Sequence, residues 1–195
     1  GCFRPKRPTA WWDRRRVASN QTSARPERTF WLLVVAIFTV AVNSQVMNPV
    51  LPAVSEDFDA SVSAAGLAVT AYLLPYGFFQ LLYGPLADRV GRVTVIMFAL
   101  GAASLGTLLC AIAPNLDLLI AFRFLTGGTA AAVIPLTFTS IGDTIPYERR
   151  QAAIGYTAMS LSLGNVLAGA IGGLLAAFVS WRAIFVIIAL ISGGV

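Results

Sequence analysis

The sequence predicts an all-α membrane protein whose chain crosses a bilayer six times. Its 195 residues are 57% hydrophobic and only 12% charged, with a mean hydropathy of +0.75. These values lie far from those of soluble globular domains. The apolar residues also fall into runs of roughly 20, the length at which a helix spans a bilayer. Because an isolated strand would leave its backbone groups unpaired in hydrocarbon, we expect these runs to be helices.

Five apolar runs have the length of a membrane span, and a sixth begins near the end of the sequence. The five lie at 30–54, 64–86, 93–113, 118–141 and 152–178, with short polar connectors between them. The sixth begins at Trp181 and has 15 residues to the end of the sequence. That is about 22 Å of helix, against a hydrocarbon core of roughly 30 Å. Because this run is short and residue 1 is glycine rather than methionine, we expect the chain to be a piece of a longer polypeptide.

The distribution of basic residues indicates the orientation of the chain. Eight of the 14 Lys and Arg residues precede residue 29, and the connectors 87–92 and 142–151, on the same predicted side, hold two each. The opposite connectors hold several acids and one basic residue, Arg182. The positive-inside rule therefore predicts a cytoplasmic N-terminus, in the plasma or inner membrane. We divide the chain into a basic cytoplasmic tail, 1–29, which we expect to be disordered, and a membrane part, 30–195.

Composition also excludes several classes of function. The formal net charge of +5 comes mainly from the tail, so we expect no nucleic-acid partner. The sequence contains no histidine, which removes histidine-dependent nucleophilic dyads and histidine metal sites. The two cysteines, Cys2 and Cys110, lie far apart and form no CxxC pair. We therefore expect no enzyme activity, no metal and no cofactor.

The turn between the second and third predicted spans carries the first informative motif. Residues 84–92 read Gly-Pro-Leu-Ala-Asp-Arg-Val-Gly-Arg. Gly84 permits a close helix approach, Gly91 permits a tight turn, and the arginines and the aspartate can form ion pairs. The segment resembles the G-x-L-a-D-r-x-G-r loop of the major facilitator superfamily of secondary transporters.

The resemblance implies a gating role for this turn. In the superfamily the aspartate and the final arginine form a charge relay with an acid at the inner end of the fourth helix, and the relay latches one half of the protein against the other. Asp88 and Arg92 match the first two positions, with Arg89 between them, and Asp143 occupies the third. An ordinary solvated helix end is the alternative interpretation of Asp143.

An arginine inside the fourth predicted span is the second candidate site. Arg123 lies about 9 Å along the helix from the start of the span. There an arginine costs roughly 2.5–3.5 kcal/mol on insertion scales, so it should face a cavity or a partner. With Gly127 it resembles the superfamily's fourth-helix motif, in which such an arginine is linked to proton transfer, although Thr126 replaces the usual glutamine. A side chain that snorkels to the interface is the alternative.

The fifth predicted span is rich in small residues, which allow helices to pack closely. Its spacing is similar to the superfamily's antiporter motif, but Ala-Gly stands where that motif has Gly-Pro. Plain helix packing explains the pattern about as well as a specific role does. The residues concerned are Gly155, Gly164, Ala168, Gly169, Gly172 and Gly173.

Polar side chains within the spans mark a candidate substrate cavity. They are amides and phenols without an acid, which suits neutral or amphipathic ligands. Hydrogen bonding between helices is the alternative explanation for each of them. The candidates are Asn43, Gln45 and Asn48 in the first span, Tyr72, Tyr76 and Gln80 in the second, and Asn165 in the fifth.

Together these features resemble the N-terminal six-helix half of a major facilitator transporter, built as two inverted three-helix repeats. The resemblance implies alternating-access transport of a small molecule, most simply proton-coupled export of a drug or metabolite. The lipid bilayer, the substrate, protons and the missing C-terminal half would be its partners. A nutrient facilitator or symporter is one alternative. A non-transporting scaffold, sensor or truncated remnant is another.

Overall fold

A computed structural model describes residues 26–178 and 180–194, and within these ranges all regular structure is helical. The prediction of an all-helical membrane fold is confirmed. The helices, in chain order, are α1 (Pro26–Gln45), α2 (Met47–Asp57), α3 (Val62–Val90), α4 (Arg92–Ala111), α5 (Leu116–Ala130), α6 (Val133–Thr144), α7 (Tyr147–Phe178) and α8 (Trp181–Gly193).

The eight helices correspond to the six predicted spans. α1 with α2 forms the first span and α5 with α6 forms the fourth. By length and composition, the segments Arg28–Gln45, Val62–Val90, Arg92–Ala111, Leu116–Thr144 and Tyr147–Leu174 can each cross a membrane. α8 is a shorter apolar helix.

Prolines account for the two interrupted spans. Within a helix, a proline ring clashes with the carbonyl group of the residue four positions earlier. α1 ends at Gln45, four positions before Pro49 in α2. In the same way, the break between α5 and α6 includes Ala131, four positions before Pro135.

Several helices extend beyond the apolar runs that predicted them. α3 continues to Val90, past the predicted end at residue 86, and α7 begins at Tyr147 rather than at 152. The apolar criterion stops at the first charged residues, whereas backbone hydrogen bonding continues through them. α1 begins at Pro26, a residue favoured in the first helical turn. The helix therefore takes the last residues of the predicted tail, and residues 1–25 lie outside the described part of the chain.

The helices enclose two buried apolar clusters, one toward each end of the bundle. Ile37, Ile96 and Val133 belong to the first cluster, and Met47 and Phe185 belong to the second. The most extensive packing joins α3 to α5, α1 to α7 and α4 to α8. Large apolar side chains also cover the outer surface, as a protein immersed in lipid requires.

Candidate functional site

An ion-pair cluster, here the Asp88 cluster, joins Asp88, Arg92 and Asp143 at one end of the bundle. Gly91 ends α3 and precedes α4 with φ of 102°, a backbone conformation that L side chains rarely adopt. This turn places the Arg92 Nη2 atom 3.4 Å from Oδ1 of Asp88. Arg92 Nη1 donates to Asp143 in the last turn of α6. The cluster thus links the α3–α4 turn to the end of the fourth span.

The two carboxylates of the Asp88 cluster face solvent, whereas Arg92 is partly buried. The side chains of Asp88 and Asp143 are 67% and 62% exposed. An exposed ion pair typically contributes only about 0–1 kcal/mol, so these pairs can form and break at little cost. Arg89 is also exposed, and no ion pair of Arg89 occurs within 26–178 and 180–194.

Gly84 has no close neighbour within the described residues, since a Cβ added there would meet nothing within 4 Å. Its role in the turn motif stays a prediction.

Arg123 is buried in the interior of the bundle and does not snorkel. The residue is 1% exposed. Its Nη1 atom donates to both the main-chain oxygen and the side-chain Oδ1 of Asn43, each at 3.0 Å. Its Cζ atom lies 5.3 Å from the centroid of the Tyr72 ring and 4.8 Å from that of Phe185. Within the described part of the chain, Nε and Nη2 have no hydrogen-bond partner and no carboxylate pairs with the guanidinium.

Asn43 belongs to this interior network and makes hydrogen bonds between helices, which is the alternative that the sequence analysis left open. Its Nδ2 atom donates to Oγ1 of Thr107 on α4, and Thr107 donates in turn to the oxygen of Ala103 at 2.7 Å. The carboxamide therefore connects α1 to α4 and, through Arg123, to α5. The sequence analysis missed Thr107, because a single threonine in an apolar span carries no signal of its own.

Gly127 holds α5 against α3, one turn after Arg123. A Cβ added here would lie 2.8 Å from the carbonyl carbon and 2.9 Å from the Cα of Tyr72. Backbone therefore packs directly on backbone, which any side chain would prevent. This contact keeps the Tyr72 ring beside the guanidinium. The role of Gly127 in the site is therefore to set the spacing between α5 and α3.

Four of the predicted cavity residues line one cavity of about 170 Å³ between α1, α3, α6 and α7. Tyr72 and Tyr76 stack with their centroids 6.0 Å apart and their planes at 17°. Gln45 and Asn165 contribute amides from α1 and α7. The rest of the lining consists of Val40, Ser44, Leu73, Ile134 and Leu161.

The two other predicted cavity residues lie elsewhere. Asn48 is exposed and donates from Nδ2 to Oε1 of Gln45 at 3.0 Å. Gln80 is exposed on α3, one turn beyond Tyr76, and is not part of the lining. The sequence pattern placed them on the same faces as the lining residues, but the cavity covers only part of each face.

One face of α7 packs closely on the first span. A Cβ added to Gly164 would lie 2.7 Å from the Cβ of Ala41, and one added to Gly172 would lie 2.7 Å from Cγ of Pro49. Ala168, between them, is buried. Gly173 is at ordinary contact distance, 3.8 Å from Cβ of the same proline.

The two other glycines of this span make no close helix contact within the described residues. Gly155 and Gly169 would meet nothing within 4 Å of an added Cβ among the described residues. Neither takes part in a close helix approach there.

A second charged cluster, the Asp57 cluster, lies at the opposite end of the bundle. Arg182 Nη2 is 2.9 Å from Oδ2 of Asp57 and donates to the oxygen of Ala113 at 3.2 Å. Trp181 Nε1 donates to the same carboxylate oxygen at 3.3 Å. The Arg182 guanidinium lies over the rings of Trp181 and Phe58, at 4.7 and 5.6 Å from their centroids. The sequence analysis used Arg182 and the acids of these connectors for orientation and missed this contact.

Residues 26–178 and 180–194 contain no group of three or more His, Cys, Asp or Glu side chains that could hold a metal ion. Cys110 is a free, buried thiol. The features of the site are therefore two ion-pair clusters at opposite ends, a buried arginine, and a neutral cavity between the helices.

Comparison with known proteins finds transporters. The chain is 32% identical over 158 residues to the uncharacterized MFS-type transporter YceJ of Bacillus subtilis. The match covers 81% of this chain and 40% of the relative. It is 32% identical over 155 residues to the MFS thioclapurine efflux transporter tcpA of Claviceps purpurea, covering 80% of this chain and 28% of the relative. It is 29% identical over 157 residues to the putative multidrug resistance protein MdtD of Cronobacter sakazakii, covering 80% and 33%.

Among solved structures, the fold matches a bacterial homolog of the human lysosomal transporter Spinster in its inward-facing and unoccupied conformation. The TM-score is 0.70 at 22% identity, and the match covers 88% of this chain and 42% of that chain. The chain thus spans less than half the length of the relatives it matches. Residues 33–195 match the family model of the Major Facilitator Superfamily, and the chain belongs to that superfamily.

Proposed function

We propose that this chain forms the N-terminal half of a secondary active transporter that exports a small molecule by alternating access, driven by the proton gradient. The observation that carries the proposal is the Asp88 cluster. Asp88 and Arg92 at the α3–α4 turn meet Asp143, far along the chain, at the same end of the bundle. Because the two carboxylates are exposed and the pairs are weak, the cluster can engage and release the other half during each cycle.

The direction of transport is inferred from the relatives. Two of those described above are named as an efflux transporter and a putative multidrug resistance protein. With the basic tail and connectors on the cytoplasmic side, the Asp88 cluster would close the cytoplasmic end and the Asp57 cluster the outer end. We place the protein in the plasma or inner membrane in this orientation.

Arg123 is the group we propose for energy coupling. All nine Asp and Glu residues of the chain lie in the tail, in connectors or near helix ends, so none can carry a proton through the middle of this half. A guanidinium does not titrate in the accessible pH range. Because Arg123 is 1% exposed, it would act through its field and not by contact, as a fixed positive charge that stabilises an ionised carboxylate presented by the other half, and protonation of that acid would release it.

A nutrient facilitator or symporter is the second candidate function. It is favoured by α7, which runs from Tyr147 to Phe178 and has Ala168 and Gly169 where the antiporter motif has Gly-Pro. In this case transport would run inward or would not require a proton gradient.

Dye export by cells that produce the complete protein distinguishes the candidates. Cells lacking their own exporters would be loaded with a neutral, an anionic and a cationic fluorescent aromatic dye. Export of at least one dye that stops when an uncoupler collapses the proton gradient supports the proposal. Retention of all three dyes contradicts export, and export that is unaffected by the uncoupler contradicts proton coupling. An Asp88→Asn variant produced at the same level gives the background rate.

A further inference from the structure

We infer that the cavity between α1, α3, α6 and α7 binds planar aromatic solutes that are neutral or anionic, and that it discriminates against organic cations. The inference rests on the proposed transport function and specifies the substrate class of its site. It follows from three features of the cavity: its aromatic wall, its hydrogen-bonding groups and the charge behind it.

The aromatic wall consists of Tyr72 and Tyr76, one turn apart on α3. Their rings are nearly parallel, with 17° between the planes and 6.0 Å between the centroids. Tyr72 is fully buried, whereas Tyr76 is only partly buried and also lines the cavity. A flat aromatic ligand can therefore extend the stack beyond Tyr76. Contacts between aromatic rings stabilise a complex by more than the burial of their apolar surface alone.

The hydrogen-bonding groups of the cavity favour ligands with acceptor oxygens. Asn48 donates to Oε1 of Gln45 at 3.0 Å, so this contact uses one of the two lone pairs of that oxygen and leaves the NH₂ group of Gln45 to donate. Asn165 adds a second carboxamide from α7. Ser44 already donates to the oxygen of Ala41 at 2.8 Å and therefore has only acceptor capacity to offer. The two carboxamides thus supply donors, and the hydroxyl of Tyr72, another lining residue, has no hydrogen-bond partner in the described part of the chain and can donate as well.

The charge next to the cavity is positive. No Asp, Glu, Lys or Arg lines the cavity, whereas the Arg123 guanidinium lies 5.3 Å from the Tyr72 ring that forms part of its wall. In the described part of the chain no carboxylate pairs with that charge. The charge is uncompensated in the state in which the acid proposed for the other half is protonated, and in a low-dielectric interior it then acts over several ångströms. It attracts an anionic ligand, leaves a neutral one unaffected and repels a cation.

Binding of three naphthalene derivatives to the purified complete protein tests the inference. The probes are a naphthalenesulfonate, the corresponding sulfonamide and a naphthylmethyl-trimethylammonium salt, which share one ring system and do not change charge near neutral pH. Equilibrium binding would be measured by calorimetry without a proton gradient. We expect the sulfonate and the sulfonamide to bind at least about tenfold more tightly than the ammonium salt, because of the field of Arg123.

Variants on α3 and α5 assign the effect to this cavity. Tyr76→Ala should weaken sulfonamide binding about tenfold, because it removes the stacking surface. Phe78→Ala is the matched control, since this aromatic side chain lies on the same helix but is 63% exposed and outside the lining. Tyr76→Phe keeps the ring and should bind like the unmodified protein. Arg123→Gln should reduce the ratio of sulfonate to ammonium affinity, and Arg123→Lys should preserve most of it.

The outcomes separate this inference from the proposed function. Tighter binding of the ammonium salt by the unmodified protein, or equal losses in Tyr76→Ala and Phe78→Ala, overturns the inference. The comparison in the unmodified protein remains decisive even if Tyr76→Ala does not fold. Binding with the expected charge preference but without transport in vesicles contradicts the proposed function alone. Transport of the ammonium salt but not of the sulfonate contradicts the inference alone.

Discussion

Arg123 on α5 donates from a single nitrogen, Nη1, to the main-chain oxygen and to the Oδ1 atom of Asn43 on α1, each at 3.0 Å. The same carboxamide donates from Nδ2 to Thr107 on α4. Asn43 therefore fixes the position of a buried charge and joins three spans at one point. Because Arg123 is 1% exposed, water cannot replace the bonds that Asn43 provides.

The first prediction is that Asn43→Leu destabilises the protein by about 2–3 kcal/mol, because it removes the side-chain acceptor of a buried charge and the donor to Thr107. Thermal unfolding of the detergent-solubilised protein, followed by tryptophan fluorescence, measures the change. The effect should be much smaller in an Arg123→Leu background, where no charge remains to be stabilised. An equal loss in both backgrounds would show that Asn43 acts independently of Arg123.

The second prediction concerns the backbone contact of α5 with α3. Gly127→Ala should cost about 1–3 kcal/mol, since its Cβ would overlap the carbonyl group of Tyr72 and force the helices apart. Gly128→Ala is a matched control, because its Cβ would meet Phe79 and Pro75 at ordinary distances of 3.5–3.7 Å. The control should be neutral or slightly stabilising, as alanine is the better helix former. Similar melting temperatures for the two variants would argue against the close approach.

The third prediction separates gating from binding. Asp88→Asn removes one carboxylate of the Asp88 cluster, which lies at the end of the bundle and away from the cavity. We expect the transport rate of the complete protein to fall about tenfold or more, while the dissociation constant of the substrate changes less than about threefold. Asp117→Asn, an exposed change in the first turn of α5 at the opposite end, is the control. Equal losses of binding and transport in a folded Asp88→Asn protein would contradict the latch.

The positions of spans and of charged helix ends could be predicted from the sequence. Asp88, Arg92 and Asp143 interrupt long apolar runs, so the alternation of spans alone puts them at one end of the bundle. Arg123 is the only charged residue that lies more than one position inside an apolar run, so the sequence alone identified it as a candidate. These predictions depend on the contrast between charge and hydrocarbon, which a single sequence records directly.

Which face of each span looks inward could not be predicted in the same way. In a bilayer both the lipid-facing and the buried surfaces are apolar, so the pattern carries little information about direction. Asn43 and Gln45 are two positions apart on α1, yet one contacts Arg123 and the other lines the cavity. The contact of Asp57 with Arg182 was missed for a related reason: several acids share that side of the membrane, and only packing selects one of them.

The fourth prediction tests the orientation of the chain. Asp59→Cys, in the turn between α2 and α3, should react with a membrane-impermeant maleimide added to intact cells, in a background with Cys2 and Cys110 replaced by serine. Arg89→Cys, at the opposite end of α3, should react only after the cells are permeabilised. Labelling of both positions from outside would contradict the six-span topology. Labelling of Arg89→Cys alone would reverse the orientation.

The last prediction concerns energy coupling by Arg123. If the charge of Arg123 stabilises an ionised carboxylate of the other half, then the positive charge of the side chain should matter more than the shape of the side chain. Lysine retains the charge but loses the planar group that contacts the Tyr72 and Phe185 rings. Arg123→Lys should therefore keep part of the proton-driven uptake into inside-out vesicles, whereas Arg123→Ala should abolish it at an unchanged amount of protein in the membrane. Substrate counterflow, which requires no gradient, should persist in both variants. Full proton-driven uptake by Arg123→Ala would show that the arginine is a structural part of the helix interface and takes no part in coupling.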